Sequence, residues 1–238
     1  MHDRMELSAR MQMNAGLVPE KATVADIGCD HGYVAMVLVR EKRCPKVIAM
    51  DVNPGPLRIA QKNIQQSGLY ERIQCRLSDG MNELKPGEVD TVLMAGMGGM
   101  LICRILQQSP EVLKQVKTLI LQPQSDLAEV RKKVFELGFG IEDEQFCLDA
   151  EKYYTAIRAV RGRQTLPYTE EEYRYGRILP ARKEKRYFQY LTREKEKKEQ
   201  LLAKLRTHGT GKARAREIEI RQEIAEIQRV LAGQYGNQ

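Results

Sequence analysis

Long apolar runs, an apolar core in the first ten residues and paired cysteines are all missing from this sequence of 238 residues. The longest uncharged stretch, Thr91 to Cys103, falls short of the roughly 18 residues that a membrane-spanning helix requires. The first ten residues include Asp3, Arg4, Glu6 and Arg10, which leaves no apolar core for a secretory signal. The five cysteines, Cys29, Cys44, Cys75, Cys103 and Cys147, are odd in number and scattered, and no two form a C-x-x-C pair. Such spacing argues against a disulfide framework and against a zinc site. It fits reduced thiols in a cytoplasmic protein, with no metal and no membrane partner expected.

What is present is enough for a packed core: 42% of the residues are hydrophobic and 30% charged, which excludes wholesale disorder and fibrous classes. The net charge of +7 is unevenly placed. Residues 1–162 carry 21 basic and 21 acidic side chains, so the entire excess falls on residues 163–238, with 18 basic against 11 acidic. A basic segment attached to a neutral one suits a polyanion such as nucleic acid, or an anionic membrane surface; a solvated helix face is the plainer reading of the same charges.

From Val24 to Val160 short β-rich runs alternate with amphipathic stretches. Val24–Ile27, Lys46–Asp51, Ile73–Leu77, Thr91–Met94 and Thr118–Leu121 read as strands, with helices expected over Gly32–Arg40, Pro56–Ser67, Gly99–Gln107 and Asp126–Leu137. This alternation implies βαβ units and a mostly parallel sheet. Two further runs, Gly140–Leu148 and Tyr153–Arg161, leave no room for a crossover helix and must pair antiparallel. The composition changes near Gly162, giving a domain of residues 1–162 and a second of 163–238. In the second, Tyr168–Leu179 reads as a short helix stopped by Pro180, followed by long helices over Ala181–Arg206 and Lys212–Ala232, broken by Thr207-His208-Gly209-Thr210-Gly211. Ile220, Ile224, Ile227 and Leu231 form an a/d seam. Its expected partner is the stripe Tyr187, Leu191, Leu201, Leu202 and Leu205, interrupted by Glu194 and Lys198. The expectation is an α/β fold with a terminal antiparallel hairpin, then an all-α, coiled-coil-like hairpin.

The sharpest motif is Asp26-Ile27-Gly28-Cys29-Asp30-His31-Gly32, between a strand and a helix. It resembles a dinucleotide turn but places Asp30 where the middle glycine of Gly-x-Gly-x-x-Gly belongs. A carboxylate there repels a pyrophosphate, so a NAD-dependent oxidoreductase is a distant reading. A nucleoside ligand without phosphates fits, and S-adenosylmethionine is one, its ammonium or sulfonium end suited to Asp26 and Asp30. Asp51 ends the second strand, where an acid takes both ribose hydroxyls. Asp79 and Gly80 follow the third strand, with the carboxylate suited to the adenine amine. Ala95-Gly96-Met97-Gly98-Gly99 follows the fourth. Singly, Asp51 or Asp79 suits a turn or cap better than a ligand contact; in register on one sheet edge they indicate a ligand site.

These strand ends resemble the class I S-adenosylmethionine-dependent methyltransferases. More narrowly, Asp26 to Tyr33, Ala95 to Gly99, Leu121-Gln122-Pro123-Gln124 and the opening Leu7-Ser8-Ala9-Arg10 with Leu17-Val18-Pro19 resemble the TrmK family. That family methylates N1 of adenine 22 in bacterial tRNA. The resemblance covers about residues 5–160 in motifs, and the helical basic tail matches the family in character. This chain departs from it in Gly32-Tyr33-Val34-Ala35, where the family usually has Ala-Tyr-Leu-Pro, and in Asp51 and Gln124, where it usually has Glu and Asn.

The resemblance implies a Rossmann-like fold, S-adenosylmethionine as cofactor and tRNA as partner of a monomer. Adenine N1 carries a free in-plane lone pair, so alignment of the reacting atoms is the main task. Asp30 is the first candidate to stabilise the migrating positive charge, with His31 and Tyr33 to orient the base or stack on it. Arg10 suits either the cofactor carboxylate or a tRNA phosphate. Met97, Gln122 and Gln124 are placed to meet the adenine edge. Arg182, Lys183, Lys185, Arg186, Lys212, Arg214 and Arg216 are the basic residues expected to meet phosphates. Two other readings stand beside this one: a methyltransferase of a small molecule or protein, and a non-catalytic RNA-binding module on a relic methyltransferase fold.

Overall fold

The computed structural model describes residues 7–163, 166–206 and 211–233, apart from the side chains at 206 and 211–213. The chain divides into two compact units, Met1–Pro167 and Tyr168–Gln238.

The first unit opens with α1 (Ala9–Leu17), capped by the Ser8 side chain, which accepts from the Met11 N–H. The parallel strands follow: β1 (Thr23–Ile27), β2 (Lys46–Asp51), β3 (Ile73–Leu77), β4 (Thr91–Met97) and β5 (Thr118–Pro123). They are linked through α2 (Tyr33–Arg40), α3 (Pro54–Gln66), α4 (Gly99–Gln108) with the short α5 (Pro110–Leu113), and then α6 (Leu127–Glu136). The hairpin of β6 (Phe139–Asp149) and β7 (Lys152–Arg161) completes a seven-stranded sheet in the order β3-β2-β1-β4-β5-β7-β6. β7 runs antiparallel to both neighbours. Its two-residue connection, Ala150 and Glu151, has φ of 45° and 63°, the doubly positive geometry whose twist matches a right-handed hairpin.

Val24, Ala25, Val92, Leu93, Leu119 and Ile120 are wholly buried, as expected for strands covered on both faces. Charge also enters this core. Arg131 of α6 and Glu144 of β6 form a 2.8 Å ion pair with both side chains fully buried. Arg161 donates to the carbonyls of Val116, Leu137 and Leu113 while its guanidinium lies over the Phe139 ring.

In the second unit the expected helix over Tyr168–Leu179 is two helices, α7 (Glu170–Tyr175) and α8 (Ile178–Ala181). Thr169 and Glu172 form a reciprocal capping box at the start of α7, and Gly176 at φ 75°, ψ 164° ends it. Pro180 does not stop the helix. It lies in the first turn of α8, where a missing N–H costs nothing. The break falls at Lys183, whose φ is 54°, and α9 (Lys185–Arg206) therefore begins four residues later than Ala181. It packs on α10 (Gly211–Ala232). Ile220, Ile224 and Ile227 are buried, as are Tyr187, Phe188 and Leu191. Leu201 of the expected stripe is exposed instead. The polar interruption has a partner across the pair, since Lys198 bonds Glu223 of α10. Residues 207–210, the expected glycine breaker, lie outside the described residues. Among the described residues no helix is long and apolar enough to cross a membrane, and none forms a cluster of three His, Cys, Asp or Glu able to hold a metal.

Candidate active site at the carboxyl edge of the sheet

The chain leaves β1 towards β2 and β3 on one side, then returns to β4 and β5 on the other. The crevice outside strands diverging in this way is where open α/β sheets bind ligands. Here it is a cavity of about 600 Å³ lined from one strand end to the next, a volume suited to a nucleoside-sized ligand. Asp26 lines it from within β1 and Gly28 and Asp30 just beyond, Asp51 at the end of β2, Asp79 and Gly80 after β3, and Ala95, Gly96 and Met97 at the end of β4.

Local backbone chemistry sets these positions. The N–H groups of Gly28 and Cys29 donate to the Met50 carbonyl at 2.8 and 2.9 Å, folding the turn back onto β2. Gly28 has φ 74°, and a Cβ there would stand 2.3 Å from Met97 Cε. Only glycine lets the methionine lie this close without strain. Asp30 also has positive φ, 52°; its N–H donates to Asp51 Oδ2 at 3.3 Å, and Asp51 Oδ1 accepts from the Asn53 N–H at 2.8 Å. Asp51 thus ties two loops together and faces the cavity. The Asp30 carboxylate is 65% exposed and lies 3.5 Å from His31 Nε2.

Asp26 is the buried acid of the set, 5% exposed. Burial first, and then the Asp51 carboxylate, push it up to about 7. The folded chain therefore holds this proton more tightly than the unfolded chain, whose acid titrates near 3.8. Stability contributed by the protonated form is lost as pH rises from about 4 to about 7. Asp26→Asn removes that dependence. In urea denaturation its advantage over the parent is expected to grow by about 2–3 kcal/mol between pH 5 and pH 8. An advantage that stays constant with pH would show that Asp26 titrates normally.

One wall of the cavity comes from α1, an element that sequence patterning left unassigned. Arg10 and Asn14 line it from that helix, four residues apart and so on one face. Arg10 Nη1 donates to Gln122 Oε1 at 3.3 Å, and a Cβ on Gly96, at φ 78°, would stand 2.8 Å from the same nitrogen. The Arg10 guanidinium also lies over the Tyr154 ring, and its backbone N–H donates to Asp149 Oδ2 at 3.2 Å. Hydrogen bonds from Ser8 and the Arg10 N–H hold the Asp149 carboxyl below its ordinary range. The hairpin end therefore fixes the helix, and the helix fixes Arg10. Asn14, 1% exposed, is absent from the residues singled out by motif; its four-residue spacing from Arg10 was the one available signal.

Three expected residues lie outside this wall. His31 meets Asp30 and sets its ring edge-on to Tyr33 at 5.8 Å. Tyr33 packs against the apolar core, so it braces the turn rather than presenting a free ring. Gln122 is fully buried and reaches the site only through Arg10, whereas Gln124 is exposed and lines the cavity. In the second unit Arg182, Lys183, Lys185, Arg186 and Arg214 are exposed. Arg216 is engaged by Glu219 at 2.7 Å and Glu223 at 3.6 Å, and the Lys212 side chain lies outside the described residues.

Comparison with known proteins agrees with this geometry. A family model described as "Methyltransferase domain" matches residues 7–157. The tRNA (adenine(22)-N(1))-methyltransferase of Bacillus subtilis is 32% identical over 166 residues, covering 70% of each chain. The crystal structure of the B. subtilis M1A22 tRNA methyltransferase TrmK superposes with a TM-score of 0.87 at 26% identity, covering 96% of this chain and 100% of that one. The structure of M. capricolum TrmK in complex with the natural cofactor product S-adenosyl-homocysteine superposes at 0.83 and 25% identity, covering 95% and 98%. With its seven-stranded sheet, its row of acids and these relatives, the chain belongs to the TrmK family of methyltransferases.

Proposed function

We propose that this chain transfers a methyl group from S-adenosylmethionine to N1 of adenine 22 in tRNA. The observation that carries the reading is the single cavity along whose edge Asp26, Asp51 and Asp79 follow one another, in a chain whose Bacillus subtilis relative is a tRNA (adenine(22)-N(1))-methyltransferase. The residues fit the cofactor. Asp79 suits an adenine amine, Asp51 a ribose, and Asp26 is a buried acid whose anion both burial and the Asp51 carboxylate disfavour. A positively charged group on the ligand supplies what Asp26 lacks. The close backbone at Gly28 and Gly96 leaves room that a Cβ would take.

Once bound, S-adenosylmethionine supplies an electrophilic methyl group on a sulfonium. The chain's own task is then alignment, because adenine N1 has a free lone pair and needs no residue to deprotonate it. Gln124 and Met97 border the β4–β5 side of the cavity, where a carboxamide suits the hydrogen-bonding edge of a base. Asp30, exposed at the mouth with His31 beside it, sets negative charge where positive charge arrives on the base. An adenine that is stacked or paired must be extruded to reach this depth. We assign capture of the polyanion to residues 163–238, which hold the whole charge excess.

The test is mass spectrometry of nucleosides from unmodified tRNA incubated with the chain and S-adenosylmethionine. About one 1-methyladenosine per tRNA is expected, located at position 22. Methyl transfer to protein or metabolite pools with none to tRNA overturns the reading.

A further inference from the structure

Asn14 sits among Met13, Ala15 and Leu17 as the one polar residue α1 buries. Its Oδ1 is sealed from solvent and meets no donor among the described residues. An oxygen in that state costs free energy relative to an apolar side chain of the same shape. Asn14 is among the residues that line the cavity, so a bound molecule that reaches the carboxamide can supply the missing donor.

The surroundings specify that donor. Asp26 lines the same cavity and is buried as well. The cavity lining therefore holds two acceptors, one with a capacity for charge, and their complement is a cationic group bearing N–H bonds. Beside Gly96 the Arg10 guanidinium offers the opposite chemistry, five donors fixed in a plane, suited to a carboxylate. An ammonium for Asn14 and Asp26, together with a carboxylate for Arg10, describes an α-amino-acid group.

We propose that Asn14 is a positioning residue for the amino-acid end of the cofactor, its Oδ1 accepting a hydrogen bond from the α-ammonium. The inference rests on the reading of the cavity as an S-adenosylmethionine site. It adds a residue on α1 that fixes how deep the amino-acid end sits, and hence where the sulfonium lies relative to Gln124 and Met97. No group is transferred to or from Asn14.

The experiment compares two ligands on the full chain by isothermal titration: S-adenosylhomocysteine, and its analogue lacking only the α-amino group. Asn14→Leu, close in shape, is expected to weaken S-adenosylhomocysteine about tenfold and leave the deaminated analogue within about twofold. The unliganded variant is expected to melt at the same temperature as the parent or higher, because the substitution removes an unsatisfied buried oxygen. Asn14→Ala provides the same ligand comparison if the leucine variant does not fold. Equal weakening of both ligands, or none of either, overturns the inference and leaves the cofactor reading standing. A parent chain that binds neither ligand overturns the cofactor reading, and this inference with it.

Discussion

Changing Arg182, Lys183, Lys185, Arg186 and Arg214 together to glutamine in the full chain is expected to lower kcat/KM on tRNA about 100-fold near 150 mM salt. S-adenosylhomocysteine affinity should stay within about twofold, since none of the five lines the cofactor cavity. All five are exposed. Arg216, which Glu219 and Glu223 hold, stays unchanged in this variant. Each phosphate contact releases counterions, so removing five is also expected to flatten the dependence of log KM on log salt by about 3–4. Measuring kcat/KM across a salt series separates this from a folding defect, which would lower activity at every salt concentration without changing the slope. An unchanged kcat/KM with an unchanged slope would remove the second unit from tRNA capture.

Glu144→Ala is expected to cost about 3–5 kcal/mol of the first unit's stability. Both members of the Arg131–Glu144 pair are fully buried, and the truncation removes the carboxylate that meets this guanidinium at 2.8 Å in the low-dielectric interior. Domains are stable by only about 5–15 kcal/mol, so a loss of this size removes a large share of the total. Replacing both partners at once, Arg131→Met with Glu144→Leu, should recover most of the loss, because no desolvated charge remains. Urea denaturation of the single and double variants measures the difference. A double variant as unstable as the single one would mean that shape, rather than charge, decides the site.

The parallel strands were legible because most are short, nearly continuous apolar runs, with Gly28, Asp51 and Asp79 marking where the first three end, and Lys46–Asp51 and Ile73–Leu77 occupy their expected bounds. The row of acids was legible for the same reason: strand ends are readable, and every acid stands at one. The wall opposite them was not. α1 contains Asn14 and Gly16, both poor helix formers, and it is held by Asp149, far along the chain. No local pattern carries that information. In the second unit, proline was read as a stop although a first-turn proline is tolerated, and the true break was a lysine at positive φ. Leu201 looked like a seam residue by spacing, but the α9–α10 pairing buries Tyr187, Phe188 and Leu191 and leaves Leu201 in solvent.

The bond from the Arg10 N–H to Asp149 joins residues 139 positions apart, and β7, between β5 and β6, is the last strand to be synthesised. On the ribosome, β1 to β4 emerge with their acids before the residues that anchor α1 exist. A nascent chain ending before Asp149 has the glycine turns and Gln122 but lacks the Asp149 carboxylate and the Tyr154 ring that hold Arg10 and its helix. Ligand competence is therefore expected to arrive late and abruptly, once the hairpin has left the exit tunnel, rather than grow strand by strand.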